Sequence, residues 1–96
     1  MSEPIIRKHL HFFGLVQGVG FRWRARRAAE AYGVTGWVRN EPDGSVSMEL
    51  QGSEAQIARV LEAIERGRYV RVEELQSRTI PAQSGERGFV TRDDEW

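Results

Sequence analysis

An α+β fold, with two helices on one face of a four- to five-stranded antiparallel sheet, is what the sequence predicts. Three observations carry that prediction. Two stretches place apolar residues at helical spacing, several others are β-branched, aromatic or alternating in the manner of strands, and their order along the chain is β-α-β-β-α-β with one short strand added.

Residues 1–6, broken by Pro4, form a short polar lead that is expected to be loosely held. Residues 7–13 read as the first strand, with Leu10 and Phe12 on one side and His9, His11 and Phe13 on the other. The strand ends at Gly14, where the stretch G-L-V-Q-G-V-G-F-R begins, with three glycines in its first seven residues. Such a loop can turn successive amides toward one point, because glycine has no Cβ to clash at positive φ. The first helix is predicted over residues 21–32, since Phe21, Ala25, Ala28, Ala29 and Tyr32 share one face, and Gly33 suits a left-handed cap.

Residues 34–40 and 45–51 read as two strands joined by the turn Glu41-Pro42-Asp43-Gly44, which makes them a hairpin. Ser53 with Gln56 three residues on forms a capping box, after which Ile57, Val60, Leu61 and Ile64 mark a second amphipathic helix that closes near Gly67. The charged residues at its end, 62–68, read as a solvated face. Residues 70–80 read as a strand, 81–87 as a loop and 88–92 as a short final strand; residues 93–96 are too few to assign. The order matches the ferredoxin-like, split βαβ arrangement. There the first two strands run the same way with the third between them, so the glycine loop and Asn40 are expected to meet at one sheet edge.

Composition narrows the function. A chain of 96 residues is expected to form a single domain over residues 1–96. Fourteen basic against fourteen acidic residues leave no net charge, so the broad electrostatic footprint of a nucleic-acid binder is missing. Arg22, Arg24, Arg26 and Arg27 form a basic run, but at helical spacing they scatter around the axis, and no aromatic RNA-binding strand signature accompanies them. The absence of cysteine excludes disulfides, thiolate zinc sites and a cysteine nucleophile. His9 and His11 are the only imidazoles and read as strand-surface residues rather than metal ligands. With no apolar run long enough for a membrane span and no signal-peptide core, a soluble cytoplasmic monomer is expected. Trp23, Trp37 and Trp96 read as packing or surface residues, and Trp37 either fills the core or covers a sheet face.

At the predicted edge the chain offers amide donors, a guanidinium and a carboxamide. The loop feeds a helix N-terminus, where free N–H groups and the helix dipole favour an anion. Arg22 stands in that first turn, where the dipole disfavours a cation unless an anion offsets it. Its planar fork suits two phosphate oxygens, whereas Asn40 can both donate to and accept from a water molecule. Alone, Asn40 reads as a strand-end residue entering a turn; its convergence with the loop gives it a functional reading. The side chain of Gln17 reads as a brace for the loop. No Asp–His pair supplies an activated nucleophile and no carboxylate run supplies a magnesium cage.

The chain resembles the acylphosphatase family. G-L-V-Q-G-V-G-F-R at 14–22 is similar to that family's first signature, and G-W-V-R-N-E-P-D-G-S-V at 36–46, followed by Gly52, to its second. The likeness covers nearly the whole chain. It implies hydrolysis of the carboxyl-phosphate bond of acyl phosphates without metal or cofactor, with inorganic phosphate or sulfate as a product-like ligand. It assigns phosphoryl binding to the backbone of Gln17, Gly18, Val19, Gly20 and Phe21 and to the Arg22 side chain, and orientation of the attacking water to Asn40. Many animal members carry Thr after that Asn where this chain has Glu41, a carboxylate that either repels substrate or faces solvent. The rival reading is a module of the same fold that binds an anion or carbamoyl phosphate without turnover, as in acylphosphatase-like domains of hydrogenase-maturation proteins. A free-standing chain carrying both Arg22 and Asn40 favours the enzyme.

Overall fold

The computed structural model describes residues 3–92. Met1 and Ser2 of the lead, and the unassigned stretch 93–96 with Trp96, lie outside the described residues. The elements are β1 (Ile6–Leu15), α1 (Phe21–Tyr32), β2 (Thr35–Asn40), β3 (Val46–Gly52), α2 (Glu54–Glu65), β4 (Arg71–Ile80) and β5 (Phe89–Arg92). They form a five-stranded sheet in the order β4-β1-β3-β2-β5. Ile6, at the end of the predicted lead, already belongs to β1 opposite Gly52.

Pairing sets the geometry. β3 is antiparallel to β1 on one side, with Leu10 opposite Met48, and to β2 on the other, with Val38 opposite Met48. β1 and β2 therefore run in the same direction, and Leu15 and Asn40 end at the same edge. The sheet departs from the expected antiparallel pattern at one pair, since β5 runs parallel to β2. Topology gives the reason: β4 ends at Ile80 beside Arg7, and β5 begins at Phe89 beside Gly36 on the far side. The connection crosses the end of the sheet away from the glycine loop, and a strand entering from there must run alongside β2.

The core lies between the helices and one sheet face. Leu10, Phe12, Val38, Val46, Met48 and Leu50 meet Phe21, Ala25, Ala28 and Ala29 of α1 and Ile57, Val60 and Ile64 of α2. Phe12 and Phe21 pack edge to face with ring centroids 4.9 Å apart, an arrangement that adds about 1 kcal/mol beyond area burial. That contact fixes the first residue of α1 against β1. Tyr32 departs from the expected apolar stripe: it is 42% exposed at the end of α1, and its carbonyl accepts a hydrogen bond from Gln56 Nε2 at 2.9 Å. The capping box of α2 has formed, with Ser53 Oγ accepting from Gln56 N–H and Gln56 Oε1 accepting from Ser53 N–H.

The opposite sheet face is covered by polar groups rather than by a helix. Arg7 is fully buried there; its Nε donates to Glu49 at 2.8 Å, while Nη1 donates to Glu86 at 2.8 Å and Gln51 at 3.1 Å. Gln51 also exchanges two hydrogen bonds with the backbone of Gln83, at 2.8 Å each. Together Arg7 and Gln51 hold the connection 81–88 as it crosses the sheet. Trp37 covers the same face, edge-on to His9 at 6.1 Å and with the Arg92 guanidinium 4.5 Å from its ring centroid.

Burial alone would raise the Glu49 carboxyl above the usual range, but hydrogen bonds from His9 and Arg7 outweigh it and hold the group low. Glu86 is held low in the same way, burial being outweighed chiefly by its hydrogen bond from Arg7. A depressed folded-state value contributes stability above the unfolded carboxyl range, near pH 4.3, and loses it as pH falls through the folded value. Arg7→Met should cost about 3 kcal/mol at neutral pH, because it removes the cation from two largely buried carboxylates and leaves Glu49 with His9 alone. Urea melts between pH 7 and 3 check both statements: the variant should be weaker at pH 7 and lose less of its remaining stability on acidification.

Candidate active site

The glycine loop folds into a turn between β1 and α1. Gly18 and Gly20 have φ of 72° and 80°, in the left-handed region, and a Cβ built at either would meet nothing within 4 Å. These glycines serve backbone direction rather than close packing. Gly20 is the N-cap of α1 and supplies no side-chain acceptor, and the first turn holds no acidic residue. Its leading N–H groups are therefore without the side-chain acceptor that a capped helix provides.

Asn40 stands at the end of β2, next to this loop. Val16, Gly18, Gly20, Phe21, Arg22, Trp23 and Asn40 line one cleft of about 200 Å³. The two segments that the sequence separates thus share a single site. Arg22 and Asn40 are both half-buried, and neither side chain has a hydrogen-bond or ion-pair partner among the described residues. Their donors remain available to a ligand.

Gln17 does not direct its carboxamide at the cleft. Its Nε2 donates to the carbonyls of Glu41 at 2.7 Å and Ser45 at 2.8 Å, tying the loop to both ends of the β2–β3 turn. The turn has supports of its own. Gly44 N–H donates to the Glu41 carbonyl at 3.1 Å, and Asp43 Oδ1 accepts from the Ser45 backbone N–H at 2.9 Å as well as from Ser45 Oγ. An ionised carboxylate only accepts, so Ser45 gives its one hydroxyl proton to Asp43. The bond of 2.6 Å to His11 must then be donated by His11 Nε2. The two hydrogen bonds from Ser45, side chain first, hold the Asp43 carboxyl below its ordinary range.

Glu41 follows Asn40 but is directed elsewhere. Strand alternation carries Arg39 to the face opposite Asn40, and the Glu41 carboxylate pairs with the Arg39 guanidinium at 3.1 Å. Its charge is answered by Arg39 and does not face the cleft alone. His9 and His11 lie on that opposite face, where with Gln76, Ser77 and Arg78 they border another cleft of about 280 Å³. Among the described residues no group of three or more His, Asp or Glu could hold a metal ion.

The acylphosphatase family model matches residues 8–91. The chain belongs to the acylphosphatase family. An acylphosphatase of Pseudomonas paraeruginosa is 42% identical over 85 residues, covering 88% of this chain and 92% of the relative. One of Leuconostoc mesenteroides subsp. mesenteroides is 46% identical over 71 residues, covering 72% and 79%. Among solved structures, the acylphosphatase from Bacillus subtilis superposes with a TM-score of 0.83 at 27% identity, covering 91% of this chain and 98% of that one. Full-length HypF in its phosphate- and nucleotide-bound form gives a TM-score of 0.84 at 26% identity, covering 99% of this chain but 13% of its own.

Two features around this cleft were not legible beforehand. Trp23 reads as a surface or packing residue in the sequence, yet it forms a wall of the cleft while remaining 62% exposed. The available signal was its place: it follows Arg22 and falls off the buried stripe of α1, which leaves a large aromatic beside the site. The chain His11–Ser45–Asp43 had no signal, because it depends on register across β1 and β3. Removing the brace tests how far the loop depends on the hairpin. Gln17→Ala should cost about 1 kcal/mol, since two hydrogen bonds to hairpin carbonyls are lost while each carbonyl keeps a backbone donor. Calorimetric titration should also find phosphate binding weakened in a variant with wild-type circular dichroism.

Proposed function

We propose that this acylphosphatase-family hydrolase cleaves acyl phosphates with the loop amides of Gln17 to Phe21 and the Arg22 guanidinium holding the phosphoryl group and Asn40 directing the water. The supporting observation is the shared cleft, in which an uncapped helix N-terminus, an unpartnered guanidinium and an unpartnered carboxamide face one small volume. Water attacks phosphorus and the bond from phosphorus to the acyl oxygen breaks. The carboxylate leaves with the electron pair, and the proton of the water passes to a phosphoryl oxygen, giving inorganic phosphate. A mixed anhydride already has a good leaving group, so positioning and charge stabilisation carry the reaction without an acid or a nucleophilic side chain.

No helix among the described residues is long and apolar enough to cross a membrane. The reading extends to one domain over residues 1–96, acting as a cytoplasmic monomer on a diffusing small molecule with neither metal nor cofactor. The likeness to HypF keeps a second reading in view, a module that binds carbamoyl phosphate or another anion without turnover. Assay of an aromatic acyl phosphate in chelator separates them, since tight phosphate binding without hydrolysis supports the module.

The two side chains should fail differently. Arg22→Lys should weaken both phosphate binding and turnover, because an ammonium cannot reproduce the bidentate fork. Asn40→Ala should lower kcat about a hundredfold or more, equivalent to about 3 kcal/mol, while phosphate affinity stays nearly intact. Normal kcat in a folded Asn40→Ala protein would remove Asn40 from the mechanism.

A further inference from the structure

The cleft at the glycine loop does not end at Trp23. The same indole borders a second, larger hollow of about 390 Å³, lined by Arg24, Arg27, Ala28, Ala31 and Tyr32 of α1 and Ala63 of α2. One aromatic side chain is therefore the common wall of a polar cleft of about 200 Å³ and an adjoining hollow lined by three alanines, a tyrosine and the side chains of Arg24 and Arg27. Trp23 is 62% exposed, and the Arg27 guanidinium lies 5.0 Å from its ring centroid. Arg27 occupies a face of the indole, restricting the ring's freedom, while most of its surface stays open to the solvent around the two hollows.

A tryptophan left this exposed forgoes most of the burial that usually stabilises a large apolar side chain. The other large residues of α1 do not repeat the pattern beside the site. Phe21 is buried against Phe12, and Tyr32 stands at the far end of the helix. The donors of the polar cleft are all committed, on the reading above, to the phosphoryl group and the water. What adjoins the cleft is the Trp23 indole with Arg27 over its ring, and beyond it three alanines, Tyr32 and Arg24, a lining in which carbon outweighs the two guanidiniums.

We propose that Trp23 and the hollow beyond it receive the acyl part of the substrate, so that this enzyme selects acyl phosphates whose acyl group carries an apolar body of at least an aromatic ring. The inference rests on the assignment of the phosphoryl group to the glycine loop. With phosphate held by the loop and Arg22, the acyl group would leave the cleft along the wall that Trp23 forms, where a ring offers the indole more contact than a methyl does. Contact of this kind is made equally in ground and transition states, so it acts on KM rather than kcat.

The test compares benzoyl phosphate with acetyl phosphate as substrates of the wild type, Trp23→Ala and Trp23→Phe, with inorganic phosphate as a competitive inhibitor. In Trp23→Ala the benzoyl-to-acetyl ratio of kcat/KM should fall about tenfold, through a higher KM for benzoyl phosphate, a change that corresponds to 1.4 kcal/mol of lost contact. Trp23→Phe should recover most of the ratio, because a ring is restored. If Trp23 only supports the loop, both substrates and the phosphate inhibition constant will worsen together and the ratio will hold, which overturns the inference. An unchanged ratio with unchanged constants overturns it equally. Wild-type protein that binds phosphate but hydrolyses neither substrate would instead defeat the assignment of the reaction, and this inference with it.

Discussion

Everything at the site follows from the double pairing of β3. Because β3 is antiparallel to β1 and to β2, those two strands are parallel to each other across it, and the ends of both are delivered to one edge. The chain between them is used up by α1, which must return along one face of the sheet so that β2 can start where β1 started. A loop after β1 and a residue at the end of β2 then meet without any contact designed to bring them together. A slip of one residue in either register would turn every inward side chain outward, exchanging Val38 and Asn40 with Trp37 and Arg39. The core and the site are thus protected by the same apolar alternation.

The edge also has to be stiff. Amide donors and one guanidinium stabilise an anion only if they are already directed at it, since reorganising them at the moment of reaction would consume the gain. Gln17 supplies that stiffness from the loop side, with both its bonds going to hairpin carbonyls. Behind the hairpin, Ser45 is held in turn by Asp43 and His11 on the opposite sheet face. The supports run from β1 through the turn to the loop, and none of them takes a group from the cleft. On the proposed assignment, a chain with no net charge would hold an anion by complementarity that is local and comes largely from backbone.

The parts legible in sequence are those written locally. α1 occupies the residues its apolar spacing predicts, the Ser53 and Gln56 box closes as drawn, and the glycine loop and Asn40 converge because element order alone dictates it. What could not be read depends on distance. Arg7 appears as an ordinary charge at the start of a strand, and its burial requires Glu49 and Glu86, the latter on a connection whose path is not encoded near Arg7. The parallel entry of β5 follows from that same crossing. Tyr32 keeps helical spacing with Phe21 yet lies at the end of α1, with its side chain 42% exposed rather than in the core. Glu41 looks like a charge beside the substrate until strand alternation and Arg39 account for it.

The two helices of this chain provide an internal comparison. α2 begins with Ser53 as N-cap, a closed capping box and Glu54 in its first turn, each of which satisfies an N-terminal amide or complements the dipole. α1 begins with Gly20, no side-chain acceptor, no acid, and Arg22 where the dipole opposes it. Glycine in place of a capping side chain costs a helix only a few tenths of a kcal/mol, and a cation in the first turn adds about 0.3–1 kcal/mol. Both helices bury an apolar face in the same core, so the contrast is not one of fold stability. On the proposed assignment, an anion in the cleft would offset both terms together, accepting from the amides and pairing with Arg22, so that the start of α1 serves a ligand where the start of α2 serves the fold.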